Sequence, residues 1–406
     1  MKAMDREIES KYGLSSEVRF CKRCVMSNQK AVSSVEFKHN RAQNHKGLNI
    51  TEDGICDACR FAEMKDKSLD WKEREEDLMR LLDKYRRNDG KYDVLVPGSG
   101  GKDSIYAAYV LKYKYGMHPL TCTWPPHIYT DIGWKNFQDW INIGGFDNIL
   151  FTPNGKVHRL LTKLAFVNLL HPFQPFIIGQ KYLAPKIAMQ QGIKLVFFGE
   201  NEAEHGSSII ENKTPVRDSM YYTKKCLSDV HLSGVTIQCL IDKYGLNMND
   251  LEVYLPPDEE ETNRSKTEVH YLGYYLKWTP QEAYYYAVEN IGFQANTERS
   301  EGTYTKYSSL DDRIDGFHYY TTFIKFGIGR ATIDASKDIR NKHLLREEGV
   351  ALVKKFDGEF PEKYFNEILE YMDITAEYFW ELIDNARSPH LWEKVNGEWK
   401  LMHRVY

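Results

Sequence analysis

The sequence predicts an α/β fold in which helices cover both faces of a mainly parallel sheet. Short apolar runs alternate with helical stretches between residues 91 and 199, as expected for successive βαβ units. The first run, Tyr92–Pro97, leads into a glycine-rich turn, and the last, Lys194–Gly199, is typical of a buried strand. In such a sheet, ligands bind beyond the carboxyl ends of the strands, and the polar motifs of this chain follow those ends.

Local patterns predict the individual elements. Asp70, with Glu73 three residues later, predicts the start of a helix that Asn88-Asp89-Gly90 ends. Strands are predicted over residues 92–97, 118–124, 148–152 and 194–199, and helices over residues 103–115, 131–143, 156–170 and a run that includes 185–191. Beyond residue 206 the alternation fades, and helices are predicted over residues 224–244, 280–290 and, in the tail from Arg346, as two or three amphipathic segments.

Composition excludes several classes of protein. The chain has 406 residues, 42% of them hydrophobic and 28% charged, which is ordinary for a globular chain. We expect no membrane span, since no stretch approaches the roughly 18 apolar residues that one needs. The charged start, Met1–Glu7, does not resemble a secretory signal, so we expect a cytoplasmic protein. Lys and Arg total 54 against 58 Asp and Glu, a net charge of −4 that does not favour nucleic acid as a partner.

The most informative motif is Ser99-Gly100-Gly101-Lys102-Asp103-Ser104, between a predicted strand and a predicted helix. Gly100 and Gly101 let the backbone approach an oxyanion closely, and N–H groups of the first helical turn point to the same place. Ser99 and Ser104 add hydroxyl donors, and Lys102 adds a charge. Asp103 suits a magnesium ion held between phosphates. The alternative is a turn that merely needs glycine.

Four of the seven cysteines form two Cys-x-x-Cys pairs, Cys21/Cys24 and Cys56/Cys59. Four thiolates complete a tetrahedral shell, so this segment predicts a structural zinc site that supplies folding free energy. A four-cysteine iron–sulfur cluster and a redox dithiol are the alternatives. His39 and His45 lie between the pairs and are possible competing ligands.

Residues 301–312 and 325–334 are dense in charge, hydroxyl groups and glycine. By themselves they predict either a polar binding wall or an irregular surface.

The glycine-rich loop resembles the PP-loop of ATP pyrophosphatases, whose fold is adenine nucleotide alpha hydrolase-like. The order of motifs is more specific. The two cysteine pairs, the loop, Phe198-Gly199-Glu200-Asn201 and Lys325-Phe326-Gly327-Ile328-Gly329-Arg330 together resemble the N-acetyl sugar amidotransferase family of lipopolysaccharide and pseudaminic-acid biosynthesis. The resemblance covers essentially the whole chain.

The resemblance implies an ATP-dependent, AMP-forming amidotransferase of O-antigen or related polysaccharide biosynthesis. It would convert the N-acetyl group of a sugar nucleotide or sugar acid to an acetamidino group, with ATP, Mg²⁺ and structural Zn²⁺. The implied ATP-binding residues are the loop residues 99–104 with Thr123 and Trp124. The implied catalytic residues are Lys102, Asp103 and Glu200, although Glu200 could equally be an ordinary polar residue that leaves a buried strand. Substrate binding is implied for Asn201, Lys325, Arg330 and Asp334.

Four regions follow from these motifs. We predict a zinc-binding module over residues 1–65, a connecting helix over 66–90, a PP-loop domain over 91–245 and a mainly helical substrate- or partner-binding region over 246–406.

The chain has no recognisable glutaminase motif of its own. The resemblance therefore implies a separate imidazole-glycerol-phosphate-synthase-like glutaminase, with a cyclase-like subunit, as the ammonia source. Two rival functions are a tRNA-thiolating PP-loop enzyme and a non-catalytic ATP-binding scaffold of a glutaminase complex. The net negative charge disfavours the first, and the complete loop with Asp103 disfavours the second.

Overall fold

The computed structural model describes residues 9–31, 35–199 and 214–406. The strands in these ranges are β1 Val94–Pro97, β2 Pro119–Thr123, β3 Asp147–Leu150, β4 Leu195–Phe198, β5 His231–Leu232, β6 Val235–Thr236, β7 Glu268–Tyr271, β8 Trp392–Val395 and β9 Glu398–Leu401. A central sheet has the order β3-β2-β1-β4-β7, and every neighbouring pair in it is parallel. The predicted parallel α/β sheet is confirmed.

Helices surround this sheet and fill most of the second half of the chain. Their bounds are α1 Asp57–Lys67, α2 Trp71–Tyr85, α3 Lys102–Tyr109, α4 Asp131–Asn142, α5 Gly155–Leu169, α6 Gln174–Gln191, α7 Ile237–Tyr244, α8 Met248–Leu251, α9 Glu259–Ser265, α10 Leu272–Tyr275, α11 Pro280–Ile291, α12 Asp315–Phe326, α13 Arg330–Arg340, α14 Arg346–Phe356, α15 Phe365–Met372 and α16 Ala376–Ala386. In the described part of the chain, none of them is long and apolar enough to cross a bilayer.

Strand β1 shows why helices cover both faces of the sheet. Val94, Leu95 and Val96 are all fully buried. Successive side chains of a strand point to opposite faces, so an apolar run of this kind needs cover on each side. Val94 and Val96 belong to a core formed with α2, α3, α4 and α11. Leu95 belongs to a second core formed with α5, α6, α12 and the last helices.

The strand order places a crevice above β1. The chain moves outward from β1 to β3 and then returns to the other side of β1 for β4. At such a reversal the connections after the two central strands diverge, which leaves a ligand crevice beyond their carboxyl ends. The glycine-rich loop follows β1 directly, so the fold itself puts this motif at the crevice.

Two predictions about the second half need correction. The helix predicted over residues 224–244 begins only at Ile237, because the preceding residues form the β5–β6 hairpin, which turns through Ser233 and Gly234, both with positive φ. The tail ends in a further hairpin, β8–β9, which was not predicted. Strand β7 joins the central sheet beside β4.

Candidate functional site

The glycine-rich loop joins β1 to α3 and packs closely against α4. Gly100 has φ +82°, and a Cβ there would lie 2.6 Å from the Phe137 Cα of α4. Position 100 therefore requires glycine for two reasons: its φ disfavours any side chain, and α4 leaves no room for a Cβ. Gly101 is the N-cap of α3 and has no side chain to satisfy the N–H groups of the first turn. These donors and the positive end of the helix dipole suit an oxyanion.

Asp103 is held on both carboxylate oxygens. The Trp278 indole Nε1 donates to Oδ1 at 3.0 Å, and the Lys102 Nζ donates to Oδ2 at 2.5 Å. The Lys102 ammonium also lies 5.5 Å from the centre of the Trp278 ring. The loop is tied to the second half of the chain as well, because the Ser99 hydroxyl donates to Asp311 Oδ2 at 3.0 Å.

The loop forms one wall of a cavity of about 400 Å³. The opposite wall consists of the segment 305–311 and residues of α12 and α13, and aromatic side chains close the ends. Its charged side chains are the carboxylates Asp103, Asp311, Asp315, Asp334 and Asp338 and the cations Lys102, Arg330 and Lys337. Carboxylates outnumber cations, so a polyphosphate would bind here most favourably together with metal cations.

Arg330 is the central cation of the opposite wall. Its Nε donates to both oxygens of Asp334, at 3.0 and 3.1 Å, and its guanidinium lies 4.2 Å from the centre of the Tyr319 ring. Burial opposes its charge, but Asp334, Tyr319 and Asp315 together outweigh burial and hold the pKa of Arg330 above its ordinary value. The Thr303 hydroxyl donates to the same carboxylate at 2.7 Å. Arg330 therefore stays charged and fixed in orientation.

The other acids of this wall are less easily ionised. Burial raises the pKa of Asp315 to about 6, and it also raises the pKa of Asp311 and of Asp338. Asp338 accepts a hydrogen bond from the Tyr304 hydroxyl at 2.6 Å. Thr305 is buried, and its hydroxyl has no hydrogen-bond partner among the residues that the structure describes. A polar ligand in the cavity would satisfy that hydroxyl.

Residues 301–406, which supply much of this wall, match a family described as LPS biosynthesis protein WbpG-like, C-terminal domain. Residues 301–406 are therefore similar to a WbpG-like C-terminal domain, and we refer to them as the WbpG-like domain. Over this region the match confirms the predicted resemblance to lipopolysaccharide biosynthesis proteins. No curated protein matches the chain.

Three solved structures match the chain at low similarity. An NH3-dependent NAD synthetase from Campylobacter jejuni is 15% identical, with a TM-score of 0.26, and the match covers 45% of this chain and 77% of that chain. The NMN synthetase from Francisella tularensis is 16% identical at a TM-score of 0.26, over 49% and 94% of the two chains. The U34-tRNA thiolase NcsA from Methanococcus maripaludis, with its 4Fe-4S cluster, is 13% identical, with a TM-score of 0.26. The match covers 80% of this chain and 86% of that chain.

The structure brings several predicted site residues together from both halves of the chain. The lining of the one cavity includes Ser99, Gly100, Gly101, Lys102 and Asp103 from the loop and Arg330 and Asp334 from the WbpG-like domain. Ser104 is not in the lining, and its hydroxyl donates to the Gly101 carbonyl at 2.9 Å inside the first turn of α3. Glu200 and Asn201 lie outside the described residues.

Thr123 and Trp124, which were predicted to bind ATP and in the PP-loop relatives would hold its adenine, lie in the core at the end of β2. Thr123 is fully buried and its hydroxyl accepts from the Asn148 amide at 3.0 Å. Trp124 stacks on Phe151, and a Cβ on Gly179 would lie 2.1 Å from its ring. Neither residue is part of the cavity lining, so a role in binding adenine stays a prediction.

Lys325 lies in the last turn of α12 and does not line the cavity. Its Nζ donates to the Leu169 carbonyl at 3.0 Å, and the residue borders a separate cavity with Tyr12 and His45. Burial lowers the pKa of Lys325 to about 7. Although Lys325 and Arg330 are close in sequence, Gly327 ends α12 between them, and the two cations point to different places.

The four cysteines form a compact buried cluster. Each sulfur lies within 4.8 Å of the others, and the Cys21–Cys59 and Cys24–Cys56 sulfur pairs are each 3.8 Å apart. Zinc–sulfur bonds of about 2.3 Å in a tetrahedron give sulfur separations of about 3.8 Å, so the set fits one tetrahedral ion. His39 and His45 are not members of the cluster and contact each other instead. None of the four cysteines lines the large cavity.

Several residues of the site carry no strong sequence signal. Asp315 and Tyr319 line the cavity because they share the face of α12 that borders it. Trp278 lies in the short connection between α10 and α11. The pair Asp311-Asp312 lies in the polar segment singled out above. The structure separates the two: Asp311 faces the loop, while buried Asp312 accepts the His127 N–H at 2.7 Å.

Proposed function

We propose that this protein is an ATP-dependent, AMP-forming amidotransferase of surface polysaccharide biosynthesis. It would replace the oxygen of a sugar N-acetyl group with nitrogen. The observation that carries the proposal is a single cavity with an oxyanion-binding loop on one wall and a fixed arginine of the WbpG-like domain on the other. An enzyme that joins a nucleotide to a sugar-linked acyl oxygen needs these two binding functions in one space.

The loop wall supports ATP as the first ligand. Backbone N–H groups at the start of α3 and the Lys102 ammonium face the position of the phosphates. Asp103, with the neighbouring Asp311, would hold Mg²⁺, which neutralises phosphate charge during transfer when it is bound. The cavity volume of about 400 Å³ lies in the range of small-molecule sites.

The opposite wall supports an anionic sugar as the second ligand. Arg330 presents a planar cation whose orientation is fixed by Asp334 and Tyr319, which suits a phosphate or carboxylate of the sugar. The unpartnered hydroxyl of Thr305 would accept or donate one further hydrogen bond to the same ligand. Asn201, from the undescribed segment, stays a predicted contributor.

The proposed reaction balances as follows. The N-acetyl oxygen attacks the α-phosphorus of ATP, and pyrophosphate leaves. Ammonia then adds to the activated carbon and loses its extra protons, while AMP departs with the original acetyl oxygen. The residues of this chain orient the two ligands, and the loop stabilises the charge that develops on the phosphates.

We propose zinc in the cysteine cluster, with a structural role. The close spacing of the sulfurs supports one ion, because a four-iron cluster places a separate iron under each thiolate and spreads them apart. The absence of these cysteines from the cavity lining supports a metal that holds the fold and does not meet the substrate.

We propose that ammonia comes from a separate glutaminase with a cyclase-like subunit. This chain alone would then use ammonium but not glutamine. Glutamine turnover by the isolated protein would contradict this part of the proposal.

The decisive experiment supplies ATP, Mg²⁺, ammonium and a panel of N-acetylated sugar nucleotides and sugar acids. We expect AMP and pyrophosphate, and a sugar product whose mass shows one acetyl oxygen replaced by NH. Reactions without ammonium or without sugar serve as controls for the same preparation. If no pyrophosphate forms with any member of the panel, the proposal is wrong.

A further inference from the structure

The helix that carries the second cysteine pair is linked to the glycine-rich loop through Lys65 and Trp278. Helix α1 has Cys56 as its N-cap and contains Cys59 in its first turn. In its last turn, Lys65 is buried with 2% of its surface exposed, and its Nζ donates to the Trp278 carbonyl at 3.1 Å. A buried ammonium needs such acceptors to offset its lost hydration, so this contact fixes the backbone at Trp278.

A second contact braces the same short connection. Asp66, next to Lys65 on α1, forms ion pairs with Lys277 at 3.0 Å and with Lys342 at 2.7 Å. The Trp71 indole, at the start of α2, donates to the Lys65 carbonyl at 3.0 Å and so fixes the last turn of α1 against α2. Lys277 and Trp278 are thus both held by α1, Lys277 through its side chain and Trp278 through its carbonyl. Helix α1 and the preceding segment with Cys21 and Cys24 are called the cysteine module below.

From that anchored backbone, the Trp278 side chain reaches the loop. It is 3% exposed, and its Nε1–H is the group that donates to Asp103 Oδ1. An indole N–H can only donate, and a bond to a carboxylate is shorter and stronger than one between neutral groups. The ring also lies between two ammonium groups, with Lys102 Nζ at 5.5 Å and Lys337 Nζ at 5.9 Å from its centre.

We infer that Trp278 is a positioning residue for Asp103, and that Lys65 transmits its position from the cysteine module. This inference rests on the proposed role of Asp103 toward Mg²⁺ and ATP. Trp278 holds one oxygen of the Asp103 carboxylate. Asp103 would therefore keep its orientation even when bound phosphates draw Lys102 away from its other oxygen. Partners of this kind commonly change metal affinity or activity by about 10- to 100-fold when they are removed.

Trp278→Phe tests the inference, because it keeps an aromatic ring beside the two lysines and removes the N–H donor, and the volume that is lost with the second ring is also lost in the control below. We expect the Mg²⁺ concentration that gives half-maximal AMP release to rise by about tenfold, with KM for the sugar unchanged. Trp392→Phe is the matched control. It removes a similar buried indole bond, which donates to the Ile324 carbonyl at 2.9 Å, away from the cavity. It should leave the Mg²⁺ dependence as in the wild type.

Lys65→Met tests the transmission step. It keeps the length and apolar stem of the side chain but removes the donor to Trp278. We expect a smaller shift in the same direction, and no additional shift when it is combined with Trp278→Phe, because both act through one contact. Additive shifts would mean that Lys65 acts by another route.

Calorimetric titration of a non-hydrolysable ATP analogue at several Mg²⁺ concentrations separates the two possible failures. If the wild type binds the analogue but forms no AMP, the proposed function fails, and the Trp278→Phe comparison still tests the positioning role. If Trp278→Phe binds the analogue with the wild-type Mg²⁺ dependence, the inference is wrong whatever the reaction. Circular dichroism and the thermal midpoint of each variant verify that the comparison is between folded proteins.

Discussion

The two walls of the cavity are built in opposite ways. The loop wall comes from one contiguous stretch, residues 99–103, and presents mainly backbone groups at the start of a helix. The opposite wall comes from the segment 305–311, α12 and α13, and presents charged side chains that are largely buried. The first wall needs glycine and a strand-to-helix turn. The second needs three separate segments to arrive at one place.

This difference has an energetic consequence. Backbone N–H groups at a helix start are left unsatisfied by the helix itself, so presenting them adds little cost. Buried carboxylates and an arginine are costly to desolvate, and they persist only because they pair, as Arg330 and Asp334 do. The loop wall is therefore expected to be generic and robust, and the opposite wall specific and sensitive to substitution.

Metal removal should have the largest effect, since both walls rest on the cysteine module. Trp278 connects it to the loop, and Ile333 and Ile339 of α13 pack on the cluster from the other side. Cys59→Ser should lose the metal and unfold the module, because structural zinc contributes on the order of 10 kcal/mol in small modules. Elemental analysis and limited proteolysis measure both effects.

Cys122→Ser is the matched control for that variant, because Cys122 is buried in the sheet core and outside the cluster. It should retain one metal ion per chain. An intact module after chelation would contradict a structural metal.

Asp103→Asn should have the next largest effect. Asparagine keeps the shape and can still accept from Trp278, but it cannot bind Mg²⁺ as a carboxylate does. We expect AMP release to fall by about 100- to 1000-fold, as when one group that stabilises the transition state is removed. A thermal midpoint equal to that of the wild type would show that the fold is intact. Unchanged AMP release would remove the adenylation hypothesis.

Asp315→Asn should change how stability depends on pH. Burial raises the pKa of Asp315 to about 6 in the folded protein, above its value in the unfolded chain. The folded state therefore binds the proton more tightly, and this residue lowers stability as pH rises from about 4 to 6. Above pH 6, Asp315→Asn should be more stable than the wild type by on the order of 2 kcal/mol.

Urea unfolding at pH 4.5 and pH 7 measures this difference. Asp131→Asn, at an exposed acid in the first turn of α4, is the control and should keep the wild-type pH dependence. Equal pH dependence in Asp315→Asn and the wild type would show that Asp315 does not carry a buried charge.

Arg330→Lys should affect the sugar more than ATP. Lysine keeps the charge beside Asp334 but loses the planar group on Tyr319, and we expect KM for an anionic sugar to rise about tenfold. Arg340→Lys makes the same exchange at the other end of α13, outside the cavity lining, and should leave KM unchanged. A rise in KM for ATP alone would assign Arg330 to the other ligand.

Lys325→Met should have the smallest effect on kinetics, because Lys325 does not line the cavity and borders a separate one. We expect KM for the sugar as in the wild type. Burial lowers the pKa of Lys325 to about 7, so the wild type should gain stability as pH rises above 7, and the variant should lack this gain. A higher KM for the sugar in Lys325→Met would show that Lys325 does take part in substrate binding.

Sequence patterns predicted those parts of the molecule that depend on near neighbours. The helix α2 begins where Asp70 predicts, and the Asp70 side chain accepts from the N–H groups of Lys72 and Glu73. The helix predicted from residue 224 was wrong because its apolar residues instead serve a hairpin, whose turn residues have positive φ. Spacing along the chain does not distinguish these two uses of apolar residues.

The sequence by itself determined the parallel sheet, the glycine loop at its edge and the pairing of four cysteines, since each depends on residues a few positions apart or on a repeated pattern. Only the tertiary structure decided that Arg330 faces the loop while Lys325 does not, and that Trp278 contacts Asp103. Those contacts join segments more than a hundred residues apart, and side-chain direction there is set by how helices pack on the sheet.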